Sequence, residues 1–179
     1  VSGKALLKIE DLKVWFPAKK NLLGNATAFT QAVDGVDFEV MEGETLGIVG
    51  ESGCGKTTLG RALLRLVPAT SGRVLHNTHD ILALPKKDVQ VLRKEFQIIF
   101  QDPYASLNPR ITIGEAIREA MQVHNIGASK KLRQEKVVEL LEKVNLQADH
   151  YNRYPHAFSG GQRQRIGIAR ALAVDPGFI

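Results

Sequence analysis

Cysteine occurs once, at Cys54. A single thiol excludes a disulfide framework and a four-thiolate zinc site, and it fits a reducing compartment. No apolar run approaches the roughly 18 consecutive residues that cross a bilayer; residues 96–100 are already broken by Gln97. A membrane span is therefore not expected. Glycine (16) and proline (7) are too few, and too irregularly placed, for a collagen-like or low-complexity chain. Neither sign of charge dominates, with 24 Lys+Arg against 19 Asp+Glu, so intrinsic disorder is also excluded. What is present, 44% hydrophobic residues in 179, suffices for one domain of ordinary size with its own core. The pI near 9.4 comes from basic residues that alternate with acids, as in 130–143, and reads as a solvated surface rather than a nucleic-acid footprint. The chain opens at Val1 without the regions of a signal peptide, and its ends read as cut.

Leu7, Ile9, Leu12, Val14 and Phe16 are spaced largely by two, and Val36, Phe38 and Val40 alternate with Asp37 and Glu39, so both stretches are expected to be half-buried strands. Residues 17–31 lack periodicity and predict a long surface connection. Residues 45–49 predict a short apolar strand running into a glycine-rich loop, and Leu59, Ala62, Leu63, Leu66 and Val67 a helix up to Pro68. Beyond it, 73–76 and 96–100 read as strands and 86–94 as a short helix. A change of character follows. Thr112 and Glu115 have the capping-box spacing before a helix carrying Ile113, Ala116, Ile117, Ala120 and Met121; a second helix carries Val137, Leu140, Leu141 and Val144; a third starts at Ser159 and Gln162 and runs to about Val174. The expected organisation is an α/β part over 1–101, a helical insert over 102–158, and a last helix and strand start over 159–179.

Residues 50–57, Gly-Glu-Ser-Gly-Cys-Gly-Lys-Thr, match the G-x-x-x-x-G-K-[ST] pattern of a P-loop. Phosphate binding needs backbone N–H groups converging on one anion, and glycines let the chain curl closely enough to present them. The following helix adds its positive end, Lys56 reaches the terminal phosphates as a point charge, and the Thr57 hydroxyl can ligate Mg²⁺. Cys54 contributes backbone to this loop, and its thiol is a bystander. A second anion-binding feature lies far along the chain, where Ser159 followed by Gly160 and Gly161 leaves exposed N–H groups at a helix start. By itself this is a good helix cap; beside a P-loop, the pair points to a nucleotide held between two surfaces.

The P-loop with Thr58 (50–58), Gln101 at the end of the strand, and FSGGQRQR (158–165) followed by IARALAVDP (168–176), in this order and separation, resemble the ATPase domain of ABC transporters. The loop DPYASLNPR (102–110) is similar to that of the oligopeptide, dipeptide and nickel import ATPases. The resemblance covers essentially the whole chain. It implies a P-loop NTPase of the α/β class, with a RecA-like core, an N-terminal antiparallel β subdomain and an inserted α-helical subdomain, cut before the strand that bears the Walker B carboxylates. It also implies ATP and Mg²⁺ as cofactors.

Residue by residue, the resemblance assigns Phe16 to adenine stacking, with Trp15 beside it as a rival. Gly50, Ser52, Gly53, Cys54, Gly55, Lys56, Thr57 and Thr58 would cradle the phosphates. Gln101 would contact Mg²⁺, with Thr57, or the attacking water. Ser159, Gly161 and Gln162 would face the nucleotide of a second, head-to-tail ATPase subunit. Lys56 and Gln101 are thus the candidates for a catalytic role. Integral membrane permease subunits would receive the loop 101–110 and the helices after it, which places the protein peripherally at the cytoplasmic face of a cell membrane, without nucleic acid. None of His76, His79, His124, His150 and His156 stands where the family's switch histidine would follow, and the carboxylates that hold Mg²⁺ and polarise water would lie beyond residue 179, so the stretch itself is expected not to hydrolyse ATP. His76 and His79, without a third ligand, read as turn residues rather than a nickel site. The solute, oligopeptide, dipeptide or nickel, stays open. A soluble ABC-type ATPase acting on nucleic acid or ribosomes is the alternative, and would show a steep salt dependence; a GTPase would want an N-K-x-D segment, which the sequence lacks.

Overall fold

The structure is a computed structural model that describes residues 4–20, 26–85, 87–104 and 106–179. The chain forms two compact units, Val1–Val89 and Gln90–Ile179.

The first unit is built on a four-stranded antiparallel sheet in the order β2-β1-β3-β4: β1 Ala5–Lys20, β2 Ala26–Met41, β3 Ser71–His76 and β4 His79–Asp80. Leu7, Ile9, Leu12 and Val14 of β1 are buried. The gap of three between Ile9 and Leu12 would turn the rest of the strand inside out if the pairing were regular. A bulge absorbs the extra residue: the register shifts between Ile9 and Leu12, Asp11 takes φ 44, and its N–H donates to Asp37 Oδ1 at 2.9 Å. Opposite, Val40 is buried and Val36 and Phe38 are half-buried, while Asp37 and Glu39 face solvent, as the alternation requires.

The connection expected over 17–31 is instead mostly strand. Pro17 pairs with Phe29, Lys19 with Ala28 and Lys20 with Ala26, and only 21–25 of that stretch lie outside the described residues. Pairing of β1 with β3 ends at Lys13, so this arm is a two-stranded ribbon with solvent on both faces. No alternation marks it because neither face is buried, and Pro17 is tolerated because an edge position asks no ladder donor of it. His76 and His79 pair with each other across a two-residue turn in which Asn77 and Thr78 have φ 48 and 74.

Residues 45–49, expected to form a strand, do not. Leu46, Ile48 and Val49 are 41, 47 and 95% exposed. A strand of a parallel sheet is held by neighbours on both edges, and no strand among the described residues pairs with this segment. Helix α1, Lys56–Leu63, buries Leu59, Ala62 and Leu63. It stops short of Pro68 because Arg65 turns left-handed (φ 52) while its guanidinium donates to the carbonyls of Ile81 (3.2 Å) and Leu84 (2.6 Å).

The second unit contains most of α2, Val89–Glu95, then α3, Ile113–Val123, α4, Lys130–Lys143, and α5, Gly160–Leu172, with two short 3₁₀ turns, Ala148–Asn152 and Pro155–Ala157, before α5. Lys86, included in the predicted helix 86–94, lies outside the described residues. Ile113, Ile117 and Met121 from α3, Val137 and Leu141 from α4, and Ile166, Ala169 and Ala173 from α5 and its end form one core. Spacings of i, i+4, i+8 in α3, i, i+4 in α4 and i, i+3, i+7 in α5 put each set on one helix face. The strand expected over 96–100 is reduced to a single parallel bridge, Phe96 with Phe178, and Phe100 is 39% exposed. Gln97 N–H donates to Phe178 O and Phe178 N–H to Glu95 O. One bridge gives too little ladder to order the remaining residues as a strand, so Gln101 sits on an exposed bend rather than at a strand end.

Candidate nucleotide-binding site

Residues 50–54 are exposed and lead through the half-buried Gly55 directly into α1. Gly53 and Gly55 have φ +83 and +97, a region closed to most side chains. At Gly55 a second constraint applies, since a Cβ there would run into the carbonyl oxygen of Ala32 on β2. The curl is tight enough that a Cβ on Gly50 would lie 2.7 Å from Cys54 Sγ. Lys56 closes the ring. Its Nζ donates to Gly50 O at 2.8 Å and Glu51 O at 2.6 Å, with Cys54 Sγ at 3.5 Å.

The helix that follows has Gly55 as N-cap and no side-chain cap, whereas Thr112, Ser129 and Ser159 cap α3, α4 and α5. The first N–H groups of α1 therefore carry no side-chain acceptor. They point, with the positive end of the helix dipole and the Lys56 ammonium, toward the loop. Thr57 is exposed and Thr58 half-buried on that first turn, and Ser52 is exposed. This arrangement of glycine-enabled curl, uncapped helix end and ammonium is what binding a polyphosphate requires.

In the same unit, Trp15 and Phe16 are separated by the sheet. Trp15 Nε1 donates to Asp34 Oδ1 at 3.1 Å, its N–H donates to Thr70 Oγ1 at 2.8 Å, and its ring tilts against Phe29 at 6.3 Å. Phe16, which pairs with Thr30, is 40% exposed.

The remaining candidates belong to the second unit. Gln101 opens a loop built from side-chain-capped turns: Asp102 Oδ1 accepts from Tyr104 N, Ser106 Oγ donates to Pro103 O, and Asn108 Oδ1 accepts from Arg110 N. Ala105 lies outside the described residues. Leu107 anchors the loop in the helical core. At the start of α5 the capping box is complete, with Ser159 Oγ accepting from Gln162 N (3.3 Å) and Gln162 Oε1 accepting from Ser159 N (2.9 Å). Gly161 faces open space, where an added Cβ would meet nothing within 4 Å.

Two groups escaped the sequence reading. Arg163 lies over the Tyr104 ring, 4.2 Å from its centroid, and Arg170 Nη1 donates to Ser106 O at 2.5 Å. Burial lowers the Arg170 pKa, and Glu119 opposes that shift. Both partners are far apart in sequence, and no periodicity pairs a loop tyrosine with a helix arginine.

No helix among the described residues is long and apolar enough to cross a membrane. Over 97% of its length the chain is 51% identical to the oligopeptide transport ATP-binding protein OppF of Bacillus subtilis (strain 168), and covers 55% of that protein. It is 49% identical to the glutathione import ATP-binding protein GsiA of Escherichia coli (strain K12) over 98% of its length, covering 28% of GsiA. The chain thus spans about half or less of the length of these curated relatives. The dimeric ATP-binding cassette MJ0796, solved in a post-hydrolysis state bound to ADP and Pi, superposes with a TM-score of 0.81 at 27% identity, over 95% of this chain and 70% of that one. The fold is therefore that of an ATP-binding cassette, of the P-loop α/β class. Residues 33–179 match the family model described as ABC transporter, and the chain belongs to that family.

Proposed function

We propose that the protein is the ATP-binding subunit of an importer for oligopeptides or dipeptides, coupling ATP binding and hydrolysis to uptake. The observation that carries the nucleotide half of this reading is the Lys56-closed loop on the uncapped end of α1. The peptide half is supported by the similarity to the oligopeptide transport protein OppF and the glutathione import protein GsiA. Phosphates would be held by the backbone of Gly50, Ser52, Gly53, Cys54, Gly55, Lys56, Thr57 and Thr58. The Lys56 ammonium would exchange two carbonyl acceptors for phosphate oxygens and stabilise the charge that shifts between them during transfer. Phe16 offers its exposed face to adenine.

Thr57 supplies a hydroxyl of the hard-oxygen type that Mg²⁺ prefers, and Gln101 an amide oxygen. Among the described residues no group of three or more His, Cys, Asp and Glu is placed to hold a metal. A hydroxyl and an amide oxygen are ligand types suited to an ion that keeps most of its shell as water and phosphate oxygen. Gln101 would orient the attacking water. The Ser159 cap, Gly161 and Gln162 would face nucleotide on a second ATPase subunit. The 179-residue stretch is proposed to bind nucleotide without sustained turnover.

Segments 1–101, 102–158 and 159–179 are proposed as nucleotide-binding core, helical subdomain and signature segment. The loop 101–110 and the helices after it would receive a membrane permease subunit, holding the protein at the cytoplasmic face of the membrane. Replacing residues 103–110 in the whole protein is expected to abolish copurification with the permease subunits and peptide uptake. Unchanged copurification would refute the docking surface, and uptake surviving deletion of the gene would refute the importer reading.

A further inference from the structure

Tyr104 presents an anomaly of placement. It is a large aromatic, 63% exposed, yet its ring meets the start of α5 at two points. At one, Arg163 lies 4.2 Å from the ring centroid, within the range of a cation–π contact. At the other, the ring edge and hydroxyl approach the first turn of α5, at 3.8 Å from where a Cβ on Gly160 would stand. Arg163 is itself fixed, since its Nε donates to Phe158 O at 3.0 Å. The Tyr104 backbone is fixed by Asp102 Oδ1 at 2.8 Å. A tyrosine serving the core alone would be buried; this one spans from the loop to the glycine turn of α5 across the surface. Two further ties, Arg170 to Ser106 O and Leu107 in the core, join the same loop to the same helical unit, but neither reaches the first turn of α5.

We propose that Tyr104, stacked on Arg163, is a positioning residue: a latch that makes the loop 101–110 and the N-terminal turn of α5 move as one body. Nucleotide engaging the Gly160–Gly161 turn would then reposition the loop directly, without first disturbing the helical core. The proposal rests on the reading of that turn as a phosphate-facing site and of the loop as a permease surface. With the latch cut, the loop keeps its anchors at Ser106 and Leu107 but loses registry with the turn. Nucleotide affinity should survive, and coupling should not.

The test uses the full-length protein, alone and reconstituted with its permease subunits. Hydrogen exchange on the ATPase alone reads the latch itself. Tyr104→Ala should speed exchange in residues 102–110 by about fivefold, the population shift that a partly exposed cation–π contact supports. Tyr104→Phe, which keeps the ring, should match wild type. In proteoliposomes Tyr104→Ala should lower the kcat of transport-coupled hydrolysis by a similar factor, with the KM for ATP held within about twofold. Arg163→Ala should do the same, and the double variant should be no worse than either single one, because both cut one contact. That non-additivity separates a latch from loss of a direct Tyr104 contact with the permease, which would leave Arg163→Ala unaffected. Should Tyr104→Ala fail to fold, Tyr104→Leu keeps apolar cover over Gly160 and lacks the stack, with the same expected loss. Unchanged exchange, additive effects, or equal loss in Tyr104→Phe would overturn the latch. A wild-type protein showing the loop protection but no ATP hydrolysis would instead overturn the importer reading.

Discussion

Trp15 and Phe16 are chain neighbours with opposite duties, and only the structure separates them. The indole of Trp15 is engaged by Asp34 and Phe29, so its loss should weaken the sheet; Phe16 is 40% exposed. Phe16→Ala is predicted to leave the urea midpoint nearly unchanged and to raise the Kd for ATP, since stacking a base on an aromatic is worth about 1–3 kcal/mol. Trp15→Ala is predicted to shift the urea midpoint first. Equilibrium denaturation and nucleotide titration on both variants decide the assignment, and the opposite pattern would hand adenine to Trp15. Gly55 makes a stricter demand. With φ +97 and the Ala32 carbonyl where a Cβ would stand, Gly55→Ala should destabilise the first unit by more than about 1 kcal/mol and disorder the loop. Equal denaturation curves for the variant and wild type would contradict the close approach.

Helices whose signals are local were legible, and strands whose order depends on distant neighbours were not. The spacing of Ile113, Ile117 and Met121, and of Val137 and Leu141, predicted faces that the core uses directly. The Ser159–Gln162 box was readable because both of its bonds lie within one turn. Residues 45–49 and 96–100 have the composition of buried strands, but a parallel strand acquires its order from residues far away in the chain, and what pairs here is one bridge at Phe96. The ribbon of 17–20 with 26–31 failed in the other direction, because a strand wet on both faces carries no hydrophobic period. The cap and the core give separable predictions. Ser159→Ala removes the acceptor for Gln162 N–H and should cost about 1 kcal/mol in urea unfolding. Ile117→Ala, in the centre of the three-helix core, should cost about 2–5 kcal/mol. A cap effect larger than the core effect would mean that the box does more than end a helix.

Each of the two units carries its own candidate residues, Phe16 and the P-loop in Val1–Val89, and Gln101, Tyr104 and the Ser159 turn in Gln90–Ile179. The P-loop was legible in the sequence because its chemistry is confined to eight consecutive residues, 50–57. The Tyr104–Arg163 contact was not, because it joins a loop to a helix through space. The central claim is that the first unit's loop takes ATP through Lys56. The most direct test is a Mg²⁺-ATP titration of the 179-residue chain, with GTP as competitor, Lys56→Ala as control and circular dichroism on the same samples. The account predicts saturable binding that prefers ATP and weakens by at least about tenfold in Lys56→Ala. A chain that is folded by circular dichroism yet ignores ATP, or binds it equally well without Lys56, would contradict it.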